Sequence, residues 1–323
     1  MSRVKNNSSS GKVSFSLSQV DGFWVGHAEN STARTGCTAI LTPEGAVASF
    51  FTPGFAPGSR ETELLKPEST PQNIHGLLLT GGSAFGLAAA TGIVKFLREK
   101  GVGLNTGTIQ IPLVPGAVIY DYPQNLSQGL LPDENMGYEA AKKASKKALK
   151  NGPYGAGFSA SSGKAAGPEF SSPSGLGSAG LVENKLQLAA LVIVNPLGSL
   201  INPHTGVIIS GIRTKGGQLA TREEILDLLK DPPPQKPGHT ILVAIGTNAR
   251  LDKLGAFRLA RLAASGLTRS IFPSHLLFDG DIIFSLSSNT GPLVNENWLG
   301  AMAAELVSQA VINSVPLKTP PSQ

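Results

Sequence analysis

Near the end of the chain, a proline-rich linker, Asp231-Pro232-Pro233-Pro234-Gln235, runs through Lys236-Pro237-Gly238-His239 into the apolar run Thr240-Ile241-Leu242-Val243-Ala244-Ile245. An uninterrupted apolar run beginning directly after turn-forming residues reads as a buried strand. The prolines cannot extend a helix or donate to a sheet, so the backbone enters the core at Thr240. A threonine hydroxyl is a weak nucleophile unless a base stands beside it, and one local base is the residue's own α-amine. That amine exists only if the preceding bond is cut. Thr240 is therefore a candidate N-terminal nucleophile, and His239–Thr240 a candidate self-cleavage bond. The plainer reading of the same stretch is a strand that happens to start with threonine.

The rest of the composition narrows the class. With 323 residues there is ample length for a buried core. Charged residues make up only 15%, while 38 glycines and 23 prolines favour tight turns and small-residue packing over disorder or a coiled coil. The net charge of +5 is dispersed. Its densest cluster, Lys142, Lys143, Lys146, Lys147 and Lys150, reads as the solvated face of a basic helix over roughly 137–150, opposite Ala140, Ala141, Ala144 and Ala148. No aromatic residues interleave with it, so nucleic acid is not an expected partner. Cys37 stands alone, which excludes an internal disulfide and a cysteine zinc site, and it reads as a packed core thiol. The polar beginning of the chain has no apolar leader, and no apolar run reaches spanning length. A cytoplasmic protein without membrane contact is the expectation.

Strands are expected at Val13–Leu17, Gly36–Leu41 and Ala46–Phe51, the last two joined by a turn at Pro43-Glu44-Gly45. His75 to Leu97 reads as strand, glycine-rich turn and helix. The turn lacks the Lys-Ser/Thr of a phosphate loop, and its glycines do not match the dinucleotide fingerprint. Further strands are expected at Ala117–Tyr122, at 186–194 ending in Asn195-Pro196, and after Asp281. Thr221-Arg222-Glu223-Glu224 has capping-box spacing for a short helix. An amphipathic helix is expected over 253–271, a closing helix apolar over most of its circumference over 299–312, and both ends of the chain (1–12 and 316–323) as tails. Strands and helices come in blocks, which predicts an α+β fold of stacked sheets with helices outside.

Six stretches then form one pattern: Thr80-Gly-Gly-Ser-Ala-Phe-Gly-Leu, Val118-Ile-Tyr120-Asp121, Ser159-Ala-Ser-Ser-Gly-Lys164, Val194-Asn195-Pro196, Gly238-His239-Thr240-Ile241 and Phe278-Asp279-Gly280-Asp281. In this order they resemble the autoprocessing N-terminal-nucleophile aminopeptidases, which include L-aminopeptidase/D-esterases, β-peptidyl aminopeptidases and nylon-oligomer hydrolases. The resemblance covers about residues 20 to 315. It implies a four-layer αββα sandwich made as a precursor, with a large fragment 1–239 and a small fragment 240–323 forming one structural domain. It also implies homotetramers of processed units.

By the same resemblance Thr240 is the nucleophile and Lys164 the lysine of the nylon-hydrolase branch, whose charge keeps the freed amine neutral. Asn195 is an oxyanion donor through its side-chain amide. Tyr120 assists the oxyanion or holds substrate, and Asp279 and Asp281 orient the amine and hydroxyl or receive a substrate ammonium. The aspartates could pair on a metal, but no histidine cluster accompanies them, and neither metal nor cofactor is expected. His275 is given a structural role. One position departs from the pattern: His239 stands where close relatives often carry asparagine or glycine, which bears on the rate of self-cleavage.

The expected activity is hydrolysis of short peptides or small linear amides through an acyl-enzyme. Two alternatives stand beside it. One is an acyltransferase like the ornithine acetyltransferases, which also use a self-released threonine. The other is a processing-dead binding homologue. A Ser-His-Asp triad from His75, His204 or His275 finds no nucleophile-elbow motif.

Overall fold

The computed structural model describes residues 15–121, 129–230 and 238–316. The proline linker, Tyr122 and the expected tails apart from Pro316 lie outside the described residues. Nine strands form one mixed sheet: β1 (Trp24–Asn30), β2 (Thr35–Phe51), β3 (Ser59–Arg60), β4 (Asn73–Thr80), β5 (Gly116–Val118), β6 (Leu176–Glu183), β7 (Leu186–Asn195), β8 (Thr240–Thr247) and β9 (Ile282–Ser287). Their order is β6-β7-β8-β9-β2-β4-β5-β3, with β1 on the free edge of β2. The α-helices among the described residues are α1 (Ala89–Glu99), α2 (Glu134–Lys142), α3 (Arg222–Lys230), α4 (Lys253–Ser270) and α5 (Glu296–Asn313).

Strand β2 turns this sheet into layers. The expected hairpin turn at Pro43-Glu44-Gly45 is instead a bulge inside a single 17-residue strand. Leu41 pairs with Gly76 and Ala46 with Ile74, so β2 advances five residues while β4 advances two. Gly45 absorbs the bend with a φ of +85°. The first half of β2 pairs with β1 and β4, and the second half pairs with β9. Ile40, Leu77, Leu79 and Ile119 on one side therefore share a core with Leu191, Ile193, Leu242, Ile282 and Phe284 on the other. No α-helical residue belongs to that cluster; the sheet covers its own inner face. Outside, α4 and α5 cover β6 to β9, while α1 and α2 cover β1, β2 and β4. Strands β7 and β8 are buried on both faces, which is why they read as unbroken apolar runs. Each of their large side chains contributes about 2 kcal/mol.

Two local expectations differ. Leu17–Gln19 is a 3-10 turn capped by Ser16, not the end of a strand. The basic helix stops at Lys142, so Lys146, Lys147 and Lys150 do not lie along its face. Ser145 leaves the helix to pair with Val25, and Lys146 lies over the Trp24 ring, 4.7 Å from its centre. Tertiary pairing thus outweighs the alanine-lysine pattern. The capping box at Thr221 is present in both directions, Thr221 N–H to Glu224 at 2.7 Å and Glu224 N–H to the Thr221 hydroxyl at 3.3 Å. Cys37 is fully buried, and burial pushes its thiol up to about 12. No helix among the described residues is long and apolar enough to cross a membrane.

Candidate active site

The end of β7 meets the beginning of β8: Asn195 is the antiparallel register partner of Thr240. Directly opposed residues of an antiparallel pair project to the same face, so the amide and the hydroxyl share one side of the sheet. Beyond β8 the pairing with β9 continues as a parallel bridge between His239 and Asp279. Both His239 and Thr240 are buried.

Lys164 reaches this corner from the small-residue loop. Its Nζ donates to the Asn195 side-chain Oδ1 at 2.8 Å, to the Asn195 carbonyl at 2.9 Å and to the Pro196 carbonyl at 3.4 Å. Burial pushes the ammonium down to about 7, against the opposing pull of the Asp279 and Asp121 charges. The lysine also orients the amide. With Oδ1 taken by Lys164 and by the Ser161 N–H at 3.2 Å, Nδ2 points the other way. There it donates to the carbonyls of Tyr120 at 3.2 Å and Gly238 at 3.3 Å.

The two aspartates occupy different environments. Both oxygens of Asp281 are engaged: Oδ1 accepts from the Ile241 N–H at 2.7 Å, and Oδ2 is 2.7 Å from His275 Nδ1. It anchors the backbone immediately after Thr240. His275 holds it from a left-handed backbone position, φ +58°. Asp279 accepts from the Leu276 N–H at 2.7 Å through Oδ2, while its buried Oδ1 has no hydrogen-bond partner among the described residues. Burial, and after it the Asp281 charge, push Asp279 up to about 7.

Tyr120 is brought in by its ring, which lies against Gly238; any side chain there would collide with it, and Gly238 has a φ of +132°. Thr240, Lys164, Asn195, Tyr120, Asp279, Asp281 and His239 therefore converge. Three further participants stand inside the family-like stretches but were given no role by the sequence. Gly280 donates its N–H to the His239 carbonyl at 2.8 Å. Asp121, buried, accepts from the Thr35 hydroxyl at 2.6 Å and the Gly82 N–H at 2.9 Å. The glycine-rich turn thus holds the chain's own carboxylate beside Tyr120. Gly238 is the third, fixing the approach to His239. A glycine between two aspartates, and an aspartate following a tyrosine, carry no pattern from which such contacts can be read.

The family model for peptidase family S58 matches residues 16–319. The chain belongs to peptidase family S58. Individual proteins and solved structures are similar to it as well. An uncharacterized aminopeptidase of Mycobacterium tuberculosis is 31% identical over 333 residues, covering 93% of each chain. The 6-aminohexanoate-oligomer endohydrolase of a Kocuria species is 29% identical over 310 residues, covering 91% of this chain and 84% of that one. Among solved structures, the L-aminopeptidase D-Ala-esterase/amidase of Ochrobactrum anthropi superposes with a TM-score of 0.69 at 19% identity, over 95% of this chain and 87% of that chain. That likeness establishes a shared mixed sheet with flanking helices. Membership of S58 makes the chain a hydrolase of the peptidase class.

Proposed function

We propose that this S58 member cuts itself between His239 and Thr240 and then hydrolyses short peptides or small linear amides with Thr240 as the N-terminal nucleophile. The two products are residues 1–239 and 240–323, which stay together in one domain. The observation that carries the reading is the convergence at the β7–β8 corner. A lysine held near neutrality by burial orients the Asn195 amide, and Asn195 stands directly opposite Thr240.

Once cut, the Thr240 α-amine titrates at about 7.7–8.0 if unperturbed. In its neutral form it takes the proton from Oγ1 as Oγ1 attacks the substrate carbonyl. It returns that proton to the leaving amine, and the ester left on Oγ1 is hydrolysed by water. Asn195 Nδ2 donates to the oxyanion. Lys164 lowers the pKa of the new amine by its charge, and Asp279, with one oxygen uncommitted, receives an ammonium, either that of Thr240 or that of the substrate. Asp281 fixes the strand, and Tyr120, with its ring against Gly238, assists the oxyanion or holds substrate.

The relatives named as aminopeptidases and as 6-aminohexanoate-oligomer endohydrolases support a short peptide or a small linear amide as the substrate. Intact mass and N-terminal sequencing test the reading. The small fragment should begin Thr-Ile-Leu-Val, and active material carrying only the original N-terminus would refute it. Aminoacyl-p-nitroanilides should be hydrolysed; acyl transfer from acetyl-ornithine to glutamate, without hydrolysis, would favour an acyltransferase instead. Assembly as a tetramer of processed units is part of the proposal and is read by light scattering.

A further inference from the structure

Resting on the self-cleavage reading above, we propose that the backbone N–H of Gly280 is the oxyanion donor for self-cleavage, and that the Asn195 side chain donates only in the later reaction on substrate. The two steps would then use different donors within one site.

In the uncut chain the Asn195 amide is not directed at the scissile carbonyl. Its Nδ2 is shared between the carbonyls of Tyr120, at 3.2 Å, and Gly238, at 3.3 Å. The Gly238 oxygen is one residue upstream of the bond to be broken. The scissile carbonyl, that of His239, accepts instead from the Gly280 N–H at 2.8 Å. This lies within the donor range expected of an oxyanion hole, and a backbone donor needs no reorganisation as charge develops. The nucleophile lies beside the same residue. A methyl group on Gly280 would stand 2.7 Å from Thr240 Oγ1 and 2.7 Å from the Ala56 carbonyl. The missing side chain is what lets the hydroxyl and the donor lie next to each other. Two neighbours hold the donor: the Gly54 N–H and the Ala56 N–H donate to the Asp281 and Asp279 carbonyls at 3.4 and 3.0 Å, bracketing Gly280.

The step balances within the chain and one water. Thr240 Oγ1 bonds to the His239 carbonyl carbon, and the carbonyl oxygen takes the negative charge facing Gly280 N–H. The carbon–nitrogen bond then breaks. The proton lost by Oγ1 ends on the Thr240 nitrogen, which becomes the free amine, and His239 is left as an ester on Oγ1. Water hydrolyses that ester, giving the His239 carboxylate and restoring the hydroxyl. When the Gly238-His239 end withdraws, Asn195 Nδ2 loses its Gly238 acceptor and is free for a substrate oxygen.

The contact is also the last rung of the β8–β9 ladder, so the test must separate a rung from a catalyst. Glycolic acid placed at position 280 by cell-free translation replaces this one N–H with an ester oxygen and leaves every side chain in place. Self-cleavage, followed by intact mass, should slow by on the order of 10²–10³-fold. A mere rung would lower the melting temperature and leave the cleavage rate alone. In parallel, Asn195→Ala should still cut, within about tenfold of the unmodified rate, yet hydrolyse aminoacyl-p-nitroanilides on the order of 10²-fold more slowly. Cleavage of the ester chain at the unmodified rate overturns the assignment. So does an Asn195→Ala chain that stays whole, even where the ester chain fails to fold. If the unmodified protein is never cut, the Thr240 reading falls first and this one with it. Normal cutting of both unmodified and ester chains removes Gly280 alone.

Discussion

Asn195 and Thr240 stand opposite each other across two antiparallel strands, the last residue of β7 facing the first of β8. Both strands are packed on both faces, with Gln187 alone half-buried, so a slip of either would force side chains of different size into two close-packed cores at once. The register that packs the core therefore also sets the distance between the amide and the hydroxyl. Lys164 locks the amide's orientation from behind.

Thr240→Ala removes the hydroxyl that both self-cleavage and turnover use. The chain should remain a single species of 33.4 kDa and be inactive. The lost methyl and hydroxyl should cost about 1 kcal/mol, too little to unfold the chain. Thr240→Ser should restore cutting. A cut and active alanine variant would show that another residue is the nucleophile.

Lys164→Met should lower kcat by about 10²-fold, since the Asn195 amide loses the partner that orients it. The pH profile carries the more specific sign. A nearby positive charge holds the Thr240 amine neutral at lower pH. Lys164 carries that charge only below about pH 7, so removing it should move the acid limb of kcat/KM to higher pH by a fraction of a unit. An unmoved limb would reduce Lys164 to a packing role.

Asp279 makes stability depend on pH. Its folded-state value is raised from 3.8 to about 7, so the folded chain keeps that proton after the unfolded chain has lost it. The associated stability is fully present below about pH 4 and declines as pH rises towards 7. In an uncut Thr240→Ala background, Asp279→Asn should remove that decline. Its melting temperature relative to Asp279 should be more favourable at pH 7 than at pH 4.5, and equal differences at both would show that the carboxyl titrates normally.

Lys253 predicts a stability effect away from the site. Buried at the first turn of α4, its Nζ donates to the carbonyls of Leu64, Pro71 and Ser69 at 2.8, 2.9 and 3.0 Å. Burial lowers its pKa, and the three carbonyls tie the loop before β4 to the helix. Lys253→Met should cost about 3 kcal/mol, while the rate per folded molecule stays unchanged. A drop in kcat at low temperature would connect that loop to the active site.

The sequence by itself determined the local features. The apolar runs at Leu186–Val194 and Ile241–Ile245, the capping box at Thr221 and the α4 pattern each depend on neighbours a few residues apart, where burial and backbone hydrogen bonding act directly on the pattern. The six family-like stretches marked the residues that converge. Only the tertiary structure decided that β2 is one bent strand, that the helix carrying Lys142 ends before Lys146, and that Gly280 rather than Asn195 bonds the His239 carbonyl. Those outcomes depend on which distant backbone group lies opposite. A backbone N–H belongs to every residue except proline, so no sequence pattern distinguishes the one at Gly280; it acquires its place when β8 and β9 align.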